Sequence, residues 1–293
     1  MALTGSGVVE MDKQFSPIVS IGLPVYNGAA TIRQSIEALM AQTFAEFELI
    51  ISDNASTDET SAICLEYARK DDRVRYVRQE TNIGASRNFK FVLDNAVGEF
   101  FMWAGADDFH SSDFLEVNIR FLMANEDYVA SASPDIFDYS ESIKESACYV
   151  GITGSTVPER FNEFFSFCWR SHGIYYSLMR TVVVRDFSFR SYPYLGFDWA
   201  LDLHLAFYGK VSRSDKGLLT LGSNGASMQS DIYSSSRYKL IEYVLPFYEV
   251  SKYALSHSTE FDLRDKFKLL ASLAKLNIEA NINRLRRSLS PSN

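Results

Sequence analysis

The first third of the chain alternates between short all-apolar runs and stretches whose apolar residues recur every three or four positions. Pro17 to Pro24 reads as a buried strand, and Ile32, Ile36, Leu39 and Met40 follow at helical spacing. Phe47 to Ser52 repeats the strand pattern, and Ser56 then offers a helix cap with Glu59 three positions on, the arrangement of a capping box. Val74 to Val77 is a third, shorter strand. Ser86 to Ala96 is a helix with Phe89, Val92, Leu93 and Ala96 on one face, and Phe100 to Ala104 is a fourth strand. Strands that are apolar on every residue are covered on both faces, and their alternation with helices implies a parallel, doubly wound sheet with right-handed crossovers.

After about residue 115 this regularity stops. Tyr128 to Tyr139 reads as strand material, residues 140–157 as a polar flexible loop, and residues 158–185 as mixed aromatic and helical signals. Residues 197–209 form a predicted helix, Leu218 to Leu221 a short strand, and the pattern from Ser234 onward is helical. Phe161, Phe164, Phe165, Phe167, Trp169, Tyr175 and Tyr176 recur at helical spacing, which predicts core packing; a wall for a sugar or polyprenyl acceptor is the functional alternative.

Bulk properties narrow the function classes. A 293-residue chain that is 46% hydrophobic builds a sizeable core without staples, and a net charge of −8 argues against a nucleic-acid-binding face. Cys64, Cys148 and Cys168 are scattered, which suggests a reducing compartment and neither a disulfide framework nor a zinc site. His110, His172, His204 and His257 show no metal-ligand spacing and are expected to be structural or exposed. Residues 1–16 lack the pattern of a signal peptide, and no run reaches the roughly 18 apolar residues of a membrane span. The expectation is a cytoplasmic protein, with peripheral contact at the inner membrane face through the basic, amphipathic end around Leu276 to Leu289.

Chemistry-bearing residues collect where the predicted strands end, the edge at which open α/β sheets bind ligands. Pro24-Val25-Tyr26-Asn27-Gly28 follows strand one: Tyr26 has a face for a nucleobase, and the turn and helix start offer backbone N–H groups. Asp53-Asn54-Ala55-Ser56-Thr57-Asp58 follows strand two, with a carboxylate suited to a base N–H or a ribose hydroxyl. Asn82-Ile83-Gly84-Ala85-Ser86-Arg87-Asn88 follows strand three and puts Arg87 in the first turn of a helix, within reach of a base or phosphate. Asp107 and Asp108 follow strand four, and two adjacent carboxylates repel unless a hard cation such as Mg²⁺ or Mn²⁺ relieves them.

The order of these motifs resembles the family-2 glycosyltransferases, inverting nucleotide-sugar enzymes of the GT-A fold, from about Pro17 to Asp113 and more faintly to about Ser227. The resemblance implies that Pro24, Tyr26, Asn27, Asp53 and Arg87 line a nucleotide pocket, that Asp107 meets ribose or diphosphate, and that Asp108 is the ligand of a divalent metal, Mn²⁺ or Mg²⁺. The family's common Asp-x-Asp-Asp form has Gly105 at its first position here. That change leaves the metal contact and is expected to open room beside the donor sugar. Gly196-Phe197-Asp198-Trp199 resembles the family's Glu-Asp pair at a helix start, whose Asp is the catalytic base. Phe197 replaces the Glu, Asp198 is the expected base, and Asp202, one turn on, competes with it. Gly222 to Ser227 resembles a loop that often carries a histidine near the metal, and Asn224 stands in that place.

The implied fold is α/β of GT-A type: a doubly wound, mostly parallel sheet with an appended acceptor-binding half and C-terminal helices. Its expected divisions are a leader (1–16), a nucleotide-sugar-binding half (17–110), an acceptor-binding and catalytic half (111–232) and a helical tail (233–293). The implied reaction moves a sugar from a nucleoside diphosphate, UDP by default, to an acceptor hydroxyl with inversion. The setting it implies is cell-surface polysaccharide or glycan synthesis on a glycan or lipid-linked acceptor, with no nucleic acid involved. Two alternatives stay open. One is a non-catalytic nucleotide-sugar-binding module. The other is a nucleotidyltransferase, which needs a Lys-bearing glycine-rich loop where this chain has Asn27-Gly28-Ala29-Ala30.

Overall fold

The computed structural model describes residues 16–137, 150–170, 173–189, 194–222 and 239–289. The first half follows the predicted alternation: β1 (Val19–Val25), α1 (Ile32–Met40), β2 (Phe47–Asp53), α2 (Thr60–Lys70), β3 (Val74–Arg78), α3 (Ala85–Asp94) and β4 (Phe100–Trp103). β1 pairs in parallel with β2 and β4, and β2 in parallel with β3. Then come β5 (Phe109–His110), α4 (Phe114–Ala124), β6 (Tyr128–Ala132), β7 (Asp135–Phe137), α5 (Val157–Phe167), β8 (Leu178–Arg180), α6 (Thr181–Arg185), α7 (Phe197–Tyr208), β9 (Lys210–Arg213) and β10 (Leu219–Leu221). Helix Tyr248–Ser256 and a long closing helix, Leu263–Leu289, follow.

Seven strands form one sheet in the order β3-β2-β1-β4-β8-β6-β9, with β8 antiparallel to both neighbours; β5, β10 and β7 form a small second sheet. The second half therefore extends the sheet of the first. Every residue of β1, β2 and β4 is buried, as strands covered on both faces require, including the polar Ser20, Glu48, Ser52 and Asp53. Alternation along β4 splits the core: Phe100 and Met102 pack with α1, α2 and α4, while Phe101 and Trp103 pack with α3, α5 and α7. Burial of each such side chain contributes roughly 1.5–3 kcal/mol.

Several local expectations change. The second helix begins at Thr60 with no side-chain cap, so the Ser56–Glu59 capping box does not form, whereas one does form at Thr156–Glu159, which starts α5. Residues 140–149 of the expected 140–157 loop lie outside the described residues, as do the end of the expected Tyr128 to Tyr139 strand and the 1–15 stretch of the leader. Ile152 is buried and bridges to Val211 of β9. The aromatic run is core: Phe161, Phe164, Phe167 and Tyr175 are buried, with Phe165, Trp169 and Tyr176 packed against them.

Candidate active site

The loops after β1 and β2 are bolted together. Asn27 N–H donates to Ser56 Oγ (2.9 Å), Gly28 N–H to Thr60 Oγ1 (2.9 Å) and Ala29 N–H to Asp58 Oδ2 (3.0 Å). Asn27 Oδ1 in turn accepts from Thr57 N–H at 2.8 Å. The N–H groups that the sequence offered to a ligand are therefore already used, and Ser56 serves as a bolt instead of a cap. Asn27 adopts the left-handed conformation (φ 52°) that Asn tolerates, which turns the chain after Pro24 and leaves Tyr26 half exposed.

Asp53 is fully buried. Its Oδ1 accepts from Ser56 N–H (2.8 Å), and its Oδ2 accepts from the Tyr76 hydroxyl (2.8 Å) and Arg78 (2.8 Å). Asp53 thereby ties β2 to Tyr76 and Arg78 of β3, and the Arg78 guanidinium reaches the surface. Sequence reading passed over Arg78 because a strand-end arginine carries no motif. Asn82 and Asn88 are also braces: Asn82 Oδ1 accepts from Asn54 and from Gly84 N–H, and Asn88 exchanges bonds with Ser52. Arg87, between them in the first turn of α3, is exposed and has no hydrogen-bond or ion-pair partner among the described residues.

Asp107 and Asp108 follow β4 where the sequence put them. Asp108 is buried and accepts from Gly105 N–H (3.2 Å) and from Gly222 N–H at the end of β10 (3.0 Å). Burial, and then the neighbouring Asp107 charge, push its carboxyl up to about 7, against the two N–H groups that favour the anion. Gly105 does not open room. A Cβ built there would come within 2.3 Å of Asp108 Oδ2, because the Asp108 carboxylate folds back over the glycine. Gly222 is equally crowded, its added Cβ meeting the Asp107 carbonyl and carboxylate at 2.4 Å. The rest of the expected loop, with Asn224, lies outside the described residues.

This pair suits a hard divalent cation. It offers oxygen donors whose mutual repulsion a cation relieves, at a strand end where a diphosphate can supply further oxygens. No cluster of three or more His, Cys, Asp or Glu suited to a metal occurs among the described residues. A cation here would therefore be held by one or two carboxylates with substrate phosphates, the usual arrangement for Mg²⁺.

The second-half carboxylates reach the same edge through aromatic packing. Tyr175 stacks on Trp103 of β4 (5.1 Å) and meets Phe197, the first residue of α7, at 6.1 Å. Gly196 caps α7 in the left-handed conformation (φ 78°), and an added Cβ would lie 2.7 Å from Phe247. Phe197 packs among Tyr175, Phe187, Phe189 and Tyr194, which accounts for an aromatic residue in place of the Glu. Asp198, next along, is exposed. Protein packed around its carboxyl raises its pKa, partly offset by backbone N–H groups at the helix start.

Asp202, one turn later, is only 2% exposed, with no hydrogen-bond partner for Oδ1. Burial, and then Asp198, push its carboxyl well above the usual range. Partly buried Tyr176 has its hydroxyl pushed up by burial and then by the charges of Asp108, Asp107 and Asp198, so those carboxylates lie within electrostatic range of one side chain. The histidines are structural where described: His204 bonds Tyr253 and the Val183 carbonyl, and His110 is buried against Phe114.

Solved structures of known proteins share this fold. A *Staphylococcus aureus* TarS structure solved with UDP-GlcNAc superposes with a TM-score of 0.66 at 22% identity, over 87% of this chain and 71% of that one. A *Pyrobaculum calidifontis* mannosyltransferase in complex with GDP-Man and Mn²⁺ superposes at 0.53 and 16% identity, over 93% and 78%. In sequence, an uncharacterized glycosyltransferase of *Rickettsia typhi* is 33% identical over 126 residues, and the putative glycosyltransferase EpsE of *Bacillus subtilis* 32% over 124. Each match takes in 42% of this chain, and it spans 38% and 45% of those relatives' lengths. The fold is the GT-A type, residues 20–180 match the model for glycosyl transferase family 2, and the chain belongs to that family.

Proposed function

We propose that the protein transfers a sugar from a nucleoside diphosphate, UDP by default, to an acceptor hydroxyl with inversion at the anomeric carbon. The observation that carries this reading is the carboxylate pair Asp107 and Asp108 at the end of β4, with Asp108 buried and held by Gly105 and Gly222 N–H, in a family-2 chain. Tyr26 offers a face for the base, Arg87 a free guanidinium for base or phosphate, and Asp53 keeps Arg78 in place behind them. Pro24 and Asn27 set the turn that presents Tyr26. Asp107 faces ribose or diphosphate, and Asp108 holds a divalent metal, which when bound offsets charge on the departing diphosphate. Asp198 takes the acceptor proton as the hydroxyl attacks the face opposite the leaving group, so no covalent sugar–enzyme bond forms.

The bound UDP-GlcNAc of one structural relative and the GDP-Man and Mn²⁺ of another support a nucleotide-sugar donor and a divalent ion. The proposed setting is cytoplasmic, at the inner membrane face, in the synthesis of a surface polysaccharide or glycan on a glycan or lipid-linked acceptor. The test is a panel of UDP-, GDP-, CDP- and TDP-sugars scored for melting-temperature rise with Mn²⁺ and with chelator, because a ligand bound only by the folded state stabilises it by mass action. One sugar should stabilise in a metal-dependent way, and NMR of its transfer or hydrolysis product should show the inverted anomer. A retained anomer, or no stabilisation by any member of the panel, overturns the reading.

A further inference from the structure

We infer that the closing helix docks the protein on an anionic lipid surface through a second apolar stripe that faces away from the body. The inference rests on the peripheral membrane contact proposed above and goes beyond it by assigning the face and the lipid charge. Leu269, Leu273, Leu276 and Ala280 are buried and fix this helix to the protein. On the far side Leu263, Phe267, Leu270, Ile278 and Ile282 fall within an arc of about 120° at helical spacing. All five are exposed, Leu263 and Phe267 at 77% and 72%. The row is about 29 Å long by helical rise. Leu240 and Val244, also exposed, adjoin it on a short turn that Asn281 holds by donating to the Val244 carbonyl at 2.9 Å. A surface helix ordinarily carries one apolar stripe, the one it buries. This helix carries two, and no described residue covers the second.

Charge identifies what does. Arg264, Lys268 and Lys275 run along one edge of the stripe at intervals of four and seven residues. Residues 263–289 hold seven Lys or Arg against two Asp or Glu, in a chain whose net charge is −8. The two carboxylates, Asp265 and Glu279, meet Lys268 at 2.8 Å and Lys275 at 3.8 Å in exposed pairs, which contribute little. A second copy laid along the stripe would bring two basic helices together. An acidic lipid surface meets the same stripe with opposite charge while its hydrocarbon boundary takes the apolar row.

The experiment is flotation of the full chain with phosphatidylcholine vesicles, with and without phosphatidylglycerol, in the absence of donor and acceptor, so that its outcome is independent of transfer. The protein should float with the anionic vesicles alone and should be released by added salt. Changing Arg264, Lys268 and Lys275 to Gln should lower partitioning about fivefold per residue. Phe267→Ser combined with Leu270→Ser should abolish it, with melting temperature and donor-induced stabilisation unchanged. If that pair melts without cooperativity, Ile278→Ser replaces it. Equal flotation with and without phosphatidylglycerol, no flotation, or wild-type flotation by both variant sets overturns the inference. So does a dimer in light scattering that Phe267→Ser dissolves, which would give the stripe to a second copy.

Discussion

The edge formed by β1, β2 and β3 and the start of α7 handle polar groups in opposite ways. At the first, Asn27, Ser56, Asp58, Thr60, Asp53 and Arg78 satisfy one another, so this wall is rigid before any ligand arrives. At the second, Asp198 is short of water and Asp202 keeps a buried oxygen without a partner. A polar network that closes on itself stabilises, whereas uncompensated carboxylates cost stability and are found where a proton must move. The two regions therefore differ in kind: the first is satisfied internally, and the second keeps a carboxylate oxygen that it does not compensate.

The sharpest way to break this comparison is Asp198→Asn, which keeps shape and removes basicity. Transfer should fall roughly 10²–10⁴-fold while donor-induced stabilisation survives. Asp202→Asn should change transfer far less, because Asp202 is buried where no acceptor reaches it. Transfer rates that fall for Asp202→Asn and hold for Asp198→Asn would reverse the two roles.

Asp108 comes next in size. Asp108→Ala should remove metal-dependent donor binding in calorimetry without loss of the folded circular-dichroism spectrum, and unchanged affinity with and without chelator would sink the metal assignment. Its carboxyl is raised to about 7 in the fold from an unfolded value near 4. The folded state thus favours the proton, and without metal the Asp108 contribution to stability declines as pH rises through about 4 to 7 and is level above that. Thermal melts of wild type against Asp108→Ala across that window should show the gap moving by several degrees. Mn²⁺ should stabilise wild type more at pH 8 than at pH 5, since only the carboxylate binds it.

The smallest effects belong to the rigid wall. Ser56→Ala strips the acceptor from Asn27 N–H and should cost about 1 kcal/mol in denaturant unfolding, with catalysis changed only through Tyr26. Ala55 sits in the left-handed region (φ 61°), so Ala55→Gly should raise stability by about 1 kcal/mol. A large loss of transfer from either change would mean that this wall takes part in chemistry after all.

Sequence alone determined the strands and helices of the first half, the edge on which Asp53, Arg87, Asp107 and Asp108 emerge, and the core role of the aromatic run. Each of these follows from periodicity, which records how one segment is buried and needs no knowledge of its partners. Contacts between distant segments were decided by tertiary structure. Ser56 became a bolt to Asn27, 29 positions away, where local spacing pointed to a cap. Asp53 turned inward to Tyr76 and Arg78, and Gly105 proved crowded because the Asp108 side chain folds back onto it. The choice between Asp198 and Asp202 was equally hidden, since two carboxylates a helical turn apart look alike in sequence. Only the packing of Tyr175, Phe197 and Phe247 around the start of α7 leaves Asp198 exposed and buries Asp202.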